Sequence, residues 1–96
     1  MRDINNKLKS YAGFAIKCGK AVYGVDNILK YGAEFVLVDT ELGQASKRKL
    51  YNYLRKNGIE HYETNLNKII NLDRCKAFGI KEKNLANAIK NVVKES

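Results

Sequence analysis

The residues whose types and spacing could do chemistry lie between positions 19 and 32, in Gly19-Lys20-Ala21-Val22-Tyr23-Gly24-Val25-Asp26-Asn27-Ile28-Leu29-Lys30-Tyr31-Gly32. The stretch reads as a short strand, a tight turn and the opening of a helix. Glycines, an acid, an amide and two lysines converge there. A helix start leaves about four backbone N–H groups unpartnered and carries a fractional positive charge, so it accepts an anion readily. Phosphate is the expected ligand of such a turn. A purely architectural reading uses the same residues: Gly19 ends one helix, Gly24 makes the turn, Asp26 caps the next helix, and Gly32 ends it.

Nothing else in the chain makes a reactive constellation. Cys18 and Cys75 are far apart with no CxxC spacing, and His61 is the one histidine, so neither a zinc site nor a nucleophile–base set can be assembled. There is no Walker pattern and no dinucleotide-binding fingerprint. The expectation is a protein without catalytic residues, metal or cofactor, with both cysteines reduced and structural and His61 an ordinary strand residue.

Charge points toward a polyanion. The 96 residues carry a formal charge of +8 with a pI near 9.6, which suits nucleic acid or an anionic membrane surface. Residues 1–32 hold six Lys or Arg against two acids, 33–64 hold five against five, and 65–96 hold seven against three. The excess therefore sits in the outer thirds, and a fold that joins them would make one basic patch. The longest strongly apolar run, Phe35-Val36-Leu37-Val38, is far short of the ~20 residues that span a bilayer. The N-terminus lacks the apolar region of a secretion signal, so a cytoplasmic location and no membrane partner are expected.

The elements that must position the turn follow from apolar periodicity. Ile4, Leu8, Tyr11, Ala12, Ala15 and Ile16 make one stripe of a helix, with Asp3 as its cap and Gly19 just past its end. Ala21–Tyr23 fits a three-residue strand, and a short helix from Asp26 to Tyr31 follows. Phe35–Val38 predicts a strand covered on both faces. Ala45–Asn57 predicts a helix closed by Gly58, with the basic run Ser46-Lys47-Arg48-Lys49 solvated or making a secondary RNA contact. Ile59–Glu63 alternates like a half-buried strand, Thr64 caps a brief helix through Leu66, Ile69 and Ile70, and Cys75–Ile80 makes a last strand before a helix built on Leu85, Ala88, Ile89, Val92 and Val93. This alternation predicts an α/β fold of one domain over residues 1–96: a three-layer α-β-α sandwich with a small mixed four-stranded sheet and helices on both faces.

With that order of elements, Tyr11-Ala12-Gly13-Phe14-Ala15, Cys18-Gly19-Lys20, the later Gly24 six before Lys30, and Ala33-Glu34-Phe35-Val36-Leu37-Val38-Asp39 together resemble the kink-turn RNA-binding ribosomal proteins of the L-seven-Ae and L-thirty-e type, nearest to small bacterial YlxQ-like members. The similarity spans roughly residues 8 to 93. In that family the turn before the second helix carries Gly-x-Asn-Glu-x-x-Lys, whose polar residues read guanines of sheared G·A pairs. Here Gly24 and Lys30 are kept, while Asp26 and Asn27 place the carboxylate and the amide in the opposite order. A Leu-Gly-x-Ala-x-Gly loop before the last strand of the family corresponds to Leu66-Asn67-Lys68-Ile69-Ile70-Asn71, with asparagine at both glycine positions.

The resemblance implies an RNA-binding protein of ribosomal-protein type that recognises structured, kink-turn-like RNA and works within a ribonucleoprotein, with ribosomal RNA and the ribosome among its expected partners. It implies an RNA-binding set of Gly19, Lys20, Gly24, Asp26, Asn27 and Lys30 from the turn, with Asn71, Leu72, Arg74 and Lys76 from the late loop. Within the turn, Asn27 is the expected donor to guanine and Asp26 the expected helix cap. The alternative is a protein-interaction scaffold that keeps the fold without RNA binding and presents Tyr51, Tyr53 and Tyr62.

Overall fold

The computed structural model describes residues 4–70 and 75–95. Four helices and four strands follow one another: α1 (Ile4–Lys17), β1 (Ala21–Tyr23), α2 (Val25–Tyr31), β2 (Phe35–Asp39), α3 (Gln44–Asn57), β3 (Glu60–Thr64), a single 3₁₀ turn (Leu66–Lys68), β4 (Ala77–Ile80) and α4 (Lys83–Glu95). The order of the sheet is β1-β4-β2-β3, with β2 and β3 parallel and β4 antiparallel to both its neighbours. The result is the predicted α-β-α sandwich with a mixed four-stranded sheet.

The alternation along the central strands divides the core into two layers. Phe35, Leu37, Phe78 and Ile80 pack with Leu8, Ala12 and Ala15 of α1 and Leu85, Ala86, Ile89 and Val92 of α4. On the opposite face Val22, Val36, Val38 and Ala77 meet Ile28 of α2 and Leu50 and Leu54 of α3. Every residue of β2 and β4 is buried, as expected of strands covered on both sides.

Helix ends follow local chemistry. At the end of α1 the N–H of Gly19 (φ 69°) donates to Ile16 O and that of Lys20 to Ala15 O, which is a Schellman closure. Gly58 (φ 65°) closes α3 in the same way, with the N–H of Ile59 donating to Leu54 O. Ile59 is thereby spent on the cap, and β3 starts one residue later than its alternation suggests, in register from Phe35 opposite Glu60 to Asp39 opposite Thr64. Thr64 stays in the ladder and accepts from Thr40 N, so the cap of the 3₁₀ turn is Asn65, whose side chain accepts from Asn67 N. The last strand is shorter than predicted, beginning at Ala77. The expected cap Asp3 lies outside the described residues.

Gly79 sets how closely α2 lies on the sheet. A Cβ there would stand 3.0 Å from Ala33 Cβ, 3.2 Å from Ile28 Cγ1 and 3.5 Å from Val22 Cβ, so the bare backbone of β4 is the seat of the second helix.

Candidate nucleic-acid interface

The turn between β1 and α2 is built on a glycine that no other residue replaces cheaply. Gly24 has φ 87° and ψ 157°, a region open essentially to glycine alone. Its N–H donates to Ala77 O of β4, and its carbonyl accepts from Ile28 N to start α2. Gly24 itself occupies the cap position and no side chain caps the helix, which corrects the expected role of Asp26. Helix α2 begins one residue early, at Val25, so Asp26 falls within the first turn. Its carboxylate, 90 % exposed, accepts from the Lys49 ammonium of α3 at 3.1 Å.

Asn27 is oriented by the strand it follows. Its Nδ2 donates to Tyr23 O at 2.9 Å, leaving one amide hydrogen and the carbonyl oxygen on the exposed side. Lys30 places its ammonium 5.2 Å from the centre of the Tyr31 ring, and Lys81 approaches the same ring at 5.7 Å. Tyr31 is 57 % exposed and so offers an open aromatic surface between two cations. Tyr23, also exposed, is held edge-on against buried Phe78, with ring centres 5.7 Å apart.

The pairing of β1 with β4 joins the chain's two basic thirds. Ala21 lies opposite Ile80, and the N–H of Lys81 donates to Lys20 O at 2.8 Å. A depression of about 450 Å³ beside this junction is lined by Gly19, Tyr23, Asn27, Tyr31 and Lys81. A second, of about 380 Å³, runs along the other flank of the turn past Gly24, Asp26, Asn27, Ser46 and Lys76. Of the sequence-derived set, Gly19 and Lys20 thus lie at one end of β1 and Gly24, Asp26 and Lys76 at the other, with Asn27 lining both depressions and Lys30 beside Tyr31. Asn71, Leu72 and Arg74 lie outside the described residues.

Lys76 has a structural engagement that its sequence position does not reveal. Asp39, 3 % exposed at the end of β2, accepts from the backbone N–H groups of Leu66 and Glu41 and pairs with Lys76 at 3.6 Å. Burial pushes this carboxyl up, but the two backbone donors and the Lys76 charge outweigh it and hold it below its ordinary value. Asp39 therefore ties the 3₁₀ turn to the end of β2 and draws Lys76 toward the same corner.

The scaffold tyrosines are not open surface. Tyr51 donates to Glu63 at 3.0 Å and stacks on His61 with ring centres 4.7 Å apart. Burial and the Glu63 carboxylate push its hydroxyl up to about 12. Tyr53 and Tyr62 pack against the two core layers. The exposed aromatics are Phe14, Tyr23 and Tyr31. Tyr23, Tyr31 and Lys81 line the recess beside the turn and were passed over by pattern reading; the signal available was an aromatic next to Lys30 and another directly before Gly24. Both cysteines are free thiols, Cys18 exposed and Cys75 half-buried. Among the described residues no three His, Cys, Asp or Glu side chains converge, and no helix is long and apolar enough to cross a membrane.

No protein family and no curated protein matches the chain in sequence. Solved structures match it in shape. A protein of unknown function from Bacillus halodurans superposes with a TM-score of 0.83 at 17 % identity, over 92 % of this chain and 97 % of that one. A Giardia lamblia 15.5kD RNA binding protein superposes with a TM-score of 0.71 at 16 % identity, over 99 % of this chain and 88 % of that one. The fold is shared with an RNA-binding protein.

Proposed function

We propose that this protein binds structured RNA, without catalysis, at the end of the sheet where β1 meets β4. The observation that carries the reading is the recess beside the Lys20–Lys81 backbone junction, lined by Lys81, the exposed Tyr31 and the Asn27 amide, with Lys30 against the same Tyr31 ring. Each serves a part of a nucleotide. Lysine ammoniums neutralise phosphate, the Tyr31 face takes an unstacked base, and the Asn27 amide reaches a base edge. The Giardia neighbour supports the same reading, since its shape covers nearly all of this chain and it is an RNA-binding protein by name.

The finer proposal is recognition of a kink-turn, in ribosomal or regulatory RNA, with the ribosome as one setting. Guanine in a sheared G·A pair offers its N7 and O6 edge, and both atoms accept. The free amide hydrogen of Asn27 and the Lys30 ammonium are donors, whereas the Asp26 carboxylate only accepts and is already held by Lys49. The late-loop residues Asn71, Leu72 and Arg74 complete the proposed site. The whole chain serves as one RNA-binding domain.

The test is a titration of a kink-turn RNA and a matched duplex at two salt concentrations. Tighter binding to the kink-turn, with log K falling by roughly 0.7–0.9 per log unit of salt for each phosphate contacted, is expected. Binding no tighter than ~100 μM at physiological salt, the non-specific range, refutes it.

A further inference from the structure

Helices α1 and α4 form the layer on the far side of the sheet from α2, and their outward face is basic, with no exposed acid among the described residues. The exposed residues of α1 include Lys7, Lys9 and Lys17 and no acid; those described on α4 are Lys83, Asn84, Asn87, Asn91 and Lys94. Among the described residues none of these five lysines has an ion-pair partner. In the α2–α3 layer Lys49 is paired with Asp26 and Lys47 with Glu63, while exposed Arg48, Arg55 and Lys56 of α3 have no ion-pair partner among the described residues. Lys83 also stands in the first turn of α4, where the helix dipole disfavours a cation. Glu82, whose two carboxylate oxygens accept from Asn84 N and Leu85 N, caps the helix and places a negative charge beside it.

We propose that this face is a second RNA-binding surface, one that takes the sugar–phosphate backbone of a double-helical segment flanking the structure held at the α2 end. It rests on the reading of RNA as the partner and extends it to a part of the molecule that reading does not use. Charge complementarity identifies the occupant. At a rise of 1.5 Å per residue, Lys7 and Lys17 lie about 15 Å apart along α1, and Lys83 and Lys94 about 16 Å apart along α4. Packed helices lie about 8–10 Å from axis to axis, so the ammoniums form a field of duplex-like dimensions. Three asparagines, Asn84, Asn87 and Asn91, lie between Lys83 and Lys94 on α4 and supply both donors and acceptors, as ribose hydroxyls and phosphate oxygens require.

Continuity with the first surface is covalent. Lys17 lies three residues before Lys20 and Lys83 two after Lys81, so the basic track passes from the outer helices to the β1–β4 junction, interrupted by half-buried Glu82, whose carboxylate is taken up in capping α4. An anionic membrane is the weaker occupant. The exposed apolar residues of α1, Phe14 and Ile16, stand on opposite sides of its outward arc, and the rest of the face is Lys, Asn and Ser, with no apolar strip to insert.

The experiment uses the full chain and the quadruple variant Lys7→Gln, Lys17→Gln, Lys83→Gln and Lys94→Gln, whose exposed side chains leave the core intact; circular dichroism melting checks that. Two RNAs are titrated, a kink-turn with a long flanking duplex and the same RNA with that duplex trimmed to a few base pairs. The expected result is binding of the long RNA roughly tenfold to a hundredfold weaker at low salt, with a salt slope shallower by roughly two to four, and unchanged binding of the trimmed RNA. Equal affinity and slope for both proteins on the long RNA overturns the second surface and leaves the first intact. Loss on both RNAs in equal measure also overturns it, because the lysines then act as a general field. Failure of the unmodified chain to bind either RNA overturns both readings, and lysine-dependent sedimentation with phosphatidylserine vesicles in that case assigns the face to a membrane.

Discussion

Replacing Gly79 by alanine tests how α2 and its turn are held against the sheet. The backbone at Gly79 does not lie at positive φ, so an alanine is conformationally allowed and the outcome depends on space. The added methyl would meet Ala33 Cβ at 3.0 Å and Ile28 Cγ1 at 3.2 Å, both nearer than ordinary contact, and the Ala33 atom is fixed directly to the backbone. Over-packing of this kind costs about 1–3 kcal/mol. Against it stands about 0.4–1 kcal/mol of relief, because alanine restricts the unfolded chain more than glycine does. At the middle of both ranges the net loss is about 1.3 kcal/mol, and at 4–8 °C per kcal/mol for a domain of this size the melting temperature should fall by roughly 5–10 °C. The methyl also pushes α2 outward, so RNA affinity should drop by more than Lys47→Gln, on the far side of α3, would cause. Thermal melting by circular dichroism and an RNA titration on the same sample are sufficient. An unchanged or raised melting temperature would refute the close seat of α2 on β4.

Two further outcomes follow from specific contacts. Asn27→Ala should lose about 1–3 kcal/mol of discrimination between kink-turn and duplex, with a small fall in melting temperature from the lost bond to Tyr23 O, whereas Asp26→Ala, which removes only an exposed pair with Lys49, should change stability by no more than roughly 0.5 kcal/mol; loss of recognition in Asp26→Ala with a silent Asn27→Ala would make the carboxylate the reader. Asp39 has a carboxyl held below its ordinary value of 3.8, so its contribution to stability is present above that value and is lost as the pH falls through the lowered one. Urea midpoints should therefore drop on acidification from pH ~5 to ~2, and less steeply in Asp39→Asn, which keeps an acceptor for Leu66 N but no titrating charge; identical pH profiles for the two proteins would show that Asp39 is not a linked group.

Secondary structure was legible where its cause is local. The stripe from Leu8 to Ala15 and the apolar run of β2 announce their elements because burial imposes a period of 3.6 or a continuous run on the sequence itself. Gly58 marks the end of α3 for an equally local reason, since only a left-handed residue closes that turn cheaply. Errors of one residue arose where two elements competed for the same position. Ile59 could serve either the cap of α3 or the ladder of β3, and its N–H went to Leu54 O.

The candidate turn shows the same division at the scale of the site. That residues 19–32 form a strand, a glycine turn and a short helix was determined by the sequence alone, as was the excess of charge in the outer thirds. Which cations meet was decided by tertiary structure. The strand order β1-β4-β2-β3 sets Lys81 beside Lys20, although they are far apart in the chain, and leaves Tyr31 open between Lys30 and Lys81. Asp26 likewise lost its expected cap and gained Lys49, because Gly24 already fills the cap position and α3 brings a lysine from across the layer. Pattern reading sees a residue's near neighbours along the chain, while pairing across a sheet and packing between helices are properties of the whole fold.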